Sequence, residues 1–242
     1  MTVLITGASR GIGAACARKF AENGYKVAVN YYHSDKDAAA LCEEIKMHGG
    51  VAFAYKADVT DPKAVTQMIQ KIKEDLGDID ALINNAGTDL RGLFTDMTDD
   101  DYDSVMDSDL RSVFNVTRAV LPQMIHNKSG SIVNISSVWG VTGASCEVLY
   151  SAAKAAVAGL TKALAKEEAP SCIRVNCIAP GVIDTSMNDF MSQDEKNELC
   201  GEIPLMRFGR PEEIAETALF LCSEKAAYIT GEIIGVNGGF LI

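Results

Sequence analysis

Short apolar runs alternate with longer stretches of helical periodicity along this whole chain, and a glycine-rich turn joins the first pair. Val3-Leu-Ile-Thr6 reads as a buried strand. Gly7-Ala-Ser-Arg-Gly11-Ile-Gly13 follows, then a helical stretch from Ala14 to Asn23, with Gly24 placed to stop it. Lys26-Val-Ala-Val-Asn30 is the next strand, which completes a βαβ unit. The pattern then repeats. Lys36 to His48 reads as a helix closed by Gly49-Gly50, and Val51–Tyr55 as a strand. Asp61-Pro62 opens a helix over 63–76, with proline in the first turn. Further strands are expected at Ala81–Asn84, Gly130–Ser137, Ile173–Ile178 and within Gly231–Gly239, with a long alanine-rich helix over 150–168. Strands alternating with helices imply an α/β fold: a doubly wound parallel sheet of about seven strands with helices on both faces. Such folds bind ligands beyond the strand C-termini.

Composition narrows the function. The 242 residues suit one α/β domain spanning 1–242, and no linker, repeat or low-complexity tract divides them. No apolar run approaches the ~18 residues that span a bilayer, and no signal peptide is evident before the first strand, which points to the cytoplasm. A net charge of −11 disfavours nucleic acid and anionic membranes as partners. The seven cysteines are scattered, which predicts reduced, mostly buried thiols; Cys146, near Tyr150, reads more readily as packing than as part of a site. Histidines 33, 48 and 126 lack metal-ligand spacing, so no metal is expected.

The first turn reads as a nucleotide site. Small residues let the backbone around Gly7, Ser9, Arg10, Gly11, Ile12 and Gly13 approach a pyrophosphate at a helix N-terminus, where the dipole favours anions. The spacing is G-x-x-x-G-x-G, so a ligand-free βα turn is the competing reading, and the strand–turn–helix context favours phosphate. The second strand ends Asn30-Tyr31-Tyr32-His33-Ser34, with no carboxylate before Asp35 to bond a ribose 2′-hydroxyl. The Arg10 guanidinium suits a 2′-phosphate, so NADPH/NADP+ is favoured over NADH. Asp58 and Val59 follow the third strand where an adenine edge would lie, and Asn85-Ala86-Gly87 caps the fourth.

Tyr150 and Lys154 stand four residues apart, on one face of a helix. A phenol with pKa ~10 transfers protons poorly at neutral pH, and a neighbouring ammonium lowers that pKa. Ser137, thirteen residues upstream of Tyr150, supplies a hydroxyl that can hold a substrate oxygen. The three together suit carbonyl/alcohol chemistry.

Thr6-Gly-Ala-Ser-Arg-Gly-Ile-Gly13, Asn84-Asn-Ala-Gly87, Ser137, Tyr150-x-x-x-Lys154, Pro180-Gly181 and Gly238-Gly239 occur in this order over essentially the whole chain. By these motifs the sequence resembles the single-domain short-chain dehydrogenases/reductases of ~250 residues. The resemblance implies a Rossmann-type fold and hydride transfer at a nicotinamide. Tyr150 is then the acid/base, Lys154 the ribose-binding and pKa-lowering cation, and Ser137 the residue that orients the carbonyl. It also places Pro180, Gly181, Val182, Ile183 and Thr185 along the nicotinamide and its phosphates. A homotetramer is implied, assembled partly through helices near 100–125 and 150–168. At one point the chain departs from the family. Ser108-Asp109-Leu110 puts Asp109 where an asparagine usually completes the catalytic tetrad, and a buried carboxylate there would pair with Lys154 or have a raised pKa. The acidic run Asp96, Asp99, Asp100, Asp101, Asp103 and Asp107 could hold a metal, but reads better as the first turn of a helix capped by Thr98.

Substrate choice is expected in Thr88–Asp96, Val138–Val148 and Ser186–Met206, with Trp139, Glu147 and Met187 as pocket candidates and Phe190, Met191 and Leu199 on the inner face of a lid. The chain most resembles the 3-oxoacyl-acyl-carrier-protein reductases, whose partner is an acidic carrier protein. Lys128 and Ser171 occupy the two positions where those enzymes use arginines, which weakens the docking patch. Around Ser137–Val148 it also resembles the elongation factor P 5-aminopentanone reductases, where Glu147 would face an amine. A non-catalytic NADP(H)-binding sensor is the reading from another class, although such proteins typically lose the Tyr or the Lys. Epimerases and dehydratases of the extended branch share Tyr-x-x-x-Lys, but the chain length and glycine spacing argue against them.

Overall fold

The computed structural model describes residues 1–241. Its strands are β1 (Thr2–Ile5), β2 (Lys26–Tyr31), β3 (Val51–Lys56), β4 (Ala81–Asn84), β5 (Gly130–Ile135), β6 (Ile173–Pro180) and β7 (Ile233–Val236). They form one seven-stranded sheet in the order β3-β2-β1-β4-β5-β6-β7. Every pairing is parallel. The order reverses between β1 and β4, and this switch point is where such sheets open a crevice for ligands. The helices are α1 (Gly11–Glu22), α2 (Asp35–Met47), α3 (Pro62–Leu76), α4 (Asp99–Met106), α5 (Ser112–Asn127), α6 (Trp139–Thr142), α7 (Val148–Glu168), α8 (Gln193–Glu202) and α9 (Pro211–Cys222).

Alternation along each strand divides the core into two layers. Val3 and Ile5 of β1 face the layer that packs Phe20 of α1, Leu41 and Ile45 of α2, and Ile214 and Leu221 of α9. Leu4 faces the other layer, with Ile72 of α3, Val120 and Met124 of α5, and Ala165 of α7. The inner strands are covered on both faces, which is why they read as apolar runs, whereas the edge strands β3 and β7 are partly exposed.

Local chemistry sets the boundaries. Asp61 caps α3 by accepting from Lys63 N, and Pro62 occupies the first turn. Thr98 caps α4 in a reciprocal capping box: Thr98 Oγ1 accepts from Asp101 N, and Asp101 Oδ2 accepts from Thr98 N. The expected cap is therefore present, and Asp101 is committed to it. Among the described residues no group of acidic, histidine and cysteine side chains is arranged to hold a metal ion. Between α4 and α5 the backbone opens into a π-turn over Asp107–Arg111, which the sequence pattern did not announce. All seven cysteines are free, but burial is less general than expected. Cys16, Cys42 and Cys177 are buried, Cys200 and Cys222 partly so, and Cys146 and Cys172 are exposed. The last two occupy left-handed backbone positions in connecting segments. No helix among the described residues is long and apolar enough to cross a membrane.

Candidate active site

The glycine turn lies at the C-terminal end of β1, beside the switch point. Gly7 has φ +60°, and a Cβ there would stand 2.9 Å from Ala86 Cα. At Gly13 a Cβ would stand 2.5 Å from the Gly7 carbonyl and 2.6 Å from Asn85 Nδ2. The turn is thus pressed against the Asn85-Ala86 segment after β4, and only glycine fits at either point. Thr6 Oγ1 ties the two loops by accepting from Asn85 N and Ala86 N, and Asn85 Nδ2 donates to the carbonyls of Thr6 and Gly7. The expected cofactor residues Asn85, Ala86 and Gly87 therefore adjoin the turn, and Asn85 also braces it.

Helix α1 starts at Gly11 with no side-chain cap, since its Ncap residue is Arg10. Its first amides are left for an outside acceptor, an arrangement that suits a phosphate. Ile12, Asn85, Gly87, Pro180, Gly181, Val182, Ile183 and Thr185 line one cavity with the proton-transfer residues. Asn30 is buried and its amide is spent on structure: Nδ2 donates to the Tyr55 and Ala57 carbonyls, and Oδ1 accepts from Gly7 N. It shapes the turn from beneath. Tyr31 donates its hydroxyl to Asp35. Asp58 accepts from the amide and hydroxyl of Thr60, closing a tight turn beside buried Val59. Ser9 and Arg10 lie at the open side of the glycine turn, with Arg10 exposed.

Ser137, Tyr150 and Lys154 converge on the same cavity. Ser137 lies just past β5, and its Oγ accepts from Trp139 N at 3.1 Å. Tyr150 and Lys154 project from the first two turns of α7, with the ammonium 5.5 Å from the phenol ring centre. Helix α7 sits close to α6 because Gly140 has no side chain: a Cβ there would stand 2.7 Å from the Lys154 carbonyl carbon. Ser136 Oγ donates to that residue's carbonyl oxygen, which fixes the helix further. Below the site, Asn84 Nδ2 donates to Asn134 Oδ1 and to Thr117, and Asn134 Nδ2 donates to Thr161, so β4, β5, α5 and α7 share one buried polar chain.

Asp109 completes the group from the π-turn. It is fully buried, and Oδ1 stands 2.9 Å from Lys154 Nζ. Its Oδ2 accepts from Thr88 N and from Ser108 Oγ. Lys154 also donates to the Ile135 carbonyl at 3.2 Å. Gly87 makes room for the pair, since a Cβ there would collide with Asp109 Oδ1. Burial favours a neutral Lys154, but the Asp109 charge, followed by the Tyr150 phenol, outweighs it and holds the pKa above its usual value. Burial likewise raises the Tyr150 pKa; the Lys154 ammonium and the Ser137 hydroxyl oppose that rise, and the Asp109 charge adds to it. The phenol therefore stays a proton donor over the neutral range.

The substrate-side candidates share the cavity. Trp139, Glu147 and Met187 line it, with Met191 and Leu199 from the segment after β6. Trp139 packs edge-on against Phe240 with ring centres 5.7 Å apart. Two charged lining residues had not been singled out by sequence, Asp89 and Arg91. Their only signal was membership of the loop after the fourth strand.

The family model described as enoyl-(acyl carrier protein) reductase matches residues 7–241. The chain belongs to the short-chain dehydrogenase/reductase family. It is 46% identical over 238 residues to the 3-oxoacyl-(acyl-carrier-protein) reductase FabG of Staphylococcus aureus, a match covering 98% of this chain and 97% of that one. It is 45% identical over 240 residues to an uncharacterized oxidoreductase, YmfI, of Bacillus subtilis, covering 99% and 98%. A FabG reductase of Thermotoga maritima is 41% identical over 239 residues, covering 99% and 97%. The protein is thus an oxidoreductase of this family, and the family implies a nicotinamide cofactor.

Proposed function

We propose that this protein is an NADPH-dependent 3-oxoacyl-(acyl-carrier-protein) reductase. The observation that carries the reading is the convergence of Ser137, Tyr150 and Lys154 on one cavity beside the glycine turn, in a chain closely similar to reductases of that name. A nicotinamide bound beside the glycine turn would supply the hydride. Ser137 and Tyr150 hold the ketone oxygen, and the Tyr150 hydroxyl gives up its proton as that oxygen gains charge. Lys154 stabilises the resulting phenolate, and Asp109 keeps Lys154 charged. NADPH is favoured because Arg10 is exposed at the turn and no carboxylate precedes Asp35, which is held by Lys56 and Tyr31. The working form on this reading is a homotetramer, and the exposed apolar Tyr102 and Phe114 on α4 and α5 suit such a contact.

The elongation factor P reading gains no support from the relatives' names, and the thioester reading stands ahead of it. The retained Tyr150 and Lys154 argue against a non-catalytic sensor. The test is NADPH oxidation with an acetoacetyl thioester, with a small amino-ketone and NADH as controls. Turnover of the thioester is expected, and Tyr150→Phe should lower kcat by about 10²–10⁴-fold while leaving NADPH affinity near that of the parent protein. Preference for the amino-ketone, or NADPH binding with no turnover of either carbonyl, overturns the proposal.

A further inference from the structure

Arg91 links three separate loops. It lies in the segment after β4, and its Nε stands 2.8 Å from Asp89 Oδ2 and 3.4 Å from Glu147 Oε1. Asp89 shares its loop, whereas Glu147 lies just before α7. On the opposite side the guanidinium carbon stands 3.9 Å from the centre of the Phe190 ring, in the segment after β6. A guanidinium is flat, so it can bond carboxylates at its edge while its face rests on an aromatic ring. The backbone reinforces the first link, with Gly92 N donating to the Cys146 carbonyl at 2.9 Å.

The gripped segment has little else to hold its front edge. Helix α8 contributes no buried side chain. The segment is fixed at its base, where Asn188 Nδ2 donates to the Ile183 carbonyl, and at its end by buried Ile203. Between these points Met187, Met191 and Leu199 form one wall of the cavity. A stretch with few buried contacts opens easily, so a single well-formed tie shifts its equilibrium.

We propose that Arg91 is a positioning residue that clasps the Ser186–Glu202 segment over the substrate pocket, anchored by Asp89 and Glu147 and gripping Phe190. The assignment rests on reading this cavity as the substrate site. Glu147 makes the clasp sensitive to pH. Burial, reinforced by the Asp89 charge and opposed by Arg91, pushes its carboxyl up to about 7. The other charged or titratable groups on this cavity are Tyr150 and Lys154 of α7 and Asp109 of the π-turn, and the last two are paired with each other. Below pH 7 Glu147 takes up a proton and one of the two ionic anchors weakens. Above it both anchors carry charge, and the clasp is tighter.

The test is hydrogen exchange of the full-length protein with NADPH, read on peptides covering 186–202. Arg91→Ala and Phe190→Ala should each speed exchange there several-fold and leave β4 and β5 unchanged. Arg91→Lys should lie between, since it keeps the charge and loses the flat face. In the parent protein, exchange corrected for its intrinsic pH dependence should be faster at pH 6 than at pH 8, and Glu147→Gln should remove that difference. With the acetoacetyl thioester, Arg91→Ala should raise KM by about ten-fold, equivalent to ~1.4 kcal/mol, with kcat and NADPH affinity little changed. Parent-like exchange in both alanine variants overturns the clasp, and a pH difference that survives Glu147→Gln overturns the part given to Glu147. If the parent protein reduces no 3-oxo thioester, the functional reading fails, while the exchange result still decides the clasp.

Discussion

Asp109 changes the electrostatics of the proton donor. An amide at this point would offer a dipole; the carboxylate brings a full charge to 2.9 Å from the Lys154 ammonium, with both groups buried. Part of the ammonium's pull on Tyr150 is thereby cancelled, and the Asp109 charge itself raises the phenol's pKa. Asp109→Asn removes that charge; with Lys154 still protonated beside the Tyr150 phenol and the Ile135 carbonyl, the Tyr150 pKa falls. In the reductive direction the phenol must be protonated, and the high-pH limb of kcat/KM should move to lower pH. In the oxidative direction the rising limb should move the same way. Initial rates across the neutral and alkaline range in both directions check this, and superimposable profiles sink it. Asp109→Ala tests the pair as structure. It leaves a buried ammonium without its counter-charge, at a cost of about 3–5 kcal/mol in unfolding free energy, and the asparagine variant should recover part of the loss.

The βαβ elements were legible because their physics is local. Strands covered on both faces must be apolar throughout, and the helices between them carry their own stops: Gly24 and Gly77 lie at or just past helix ends with φ +80° and +90°. Boundaries moved where local signals were weak. Helix α1 begins at Gly11, three residues before the apolar periodicity starts, and β5 ends at Ile135, which leaves Ser137 in the following loop. The π-turn was not legible, since no residue pattern marks an extra residue per turn; yet it carries Asp109 to Lys154. Asp89 and Arg91 were missed because loop residues take their meaning from neighbours distant in sequence. The glycine turn tests the legible part. Gly13→Ala forces a methyl to within 2.5 Å of the Gly7 carbonyl, so the turn must move away from the Asn85 loop. We expect a loss of about 1–3 kcal/mol in stability together with weakened NADPH binding. Gly159, exposed in α7 with nothing within 4 Å of a Cβ, is the control: alanine there should keep cofactor affinity and raise helix stability by up to about 1 kcal/mol. Thermal unfolding and NADPH titration of the two variants separate a local packing constraint from a general intolerance of glycine replacement.

At the scale of the whole molecule the charge balance runs against the proposed partner. The chain carries −11 at neutral pH, and an acidic carrier protein approaching it meets net repulsion. The positions where the resemblance places docking arginines hold Lys128 and Ser171, so a single compact cation replaces two flat ones. Lys128 is exposed at the end of α5, where its backbone is left-handed. One exposed lysine attracts only over about a Debye length, ~10 Å at 0.1 M salt, whereas the net charge acts on the approach as a whole at low salt. Screening should therefore help more than it harms. For a substrate attached to an acidic carrier protein, kcat/KM should rise as ionic strength is increased from about 0.02 to 0.3 M. For an uncharged short thioester it should stay flat, which separates encounter from chemistry. Lys128→Glu should steepen the rise for the carrier-bound substrate only. Rates that fall with salt in the parent protein would mean that a local basic surface governs the encounter, and that the net charge has no part in choosing the partner.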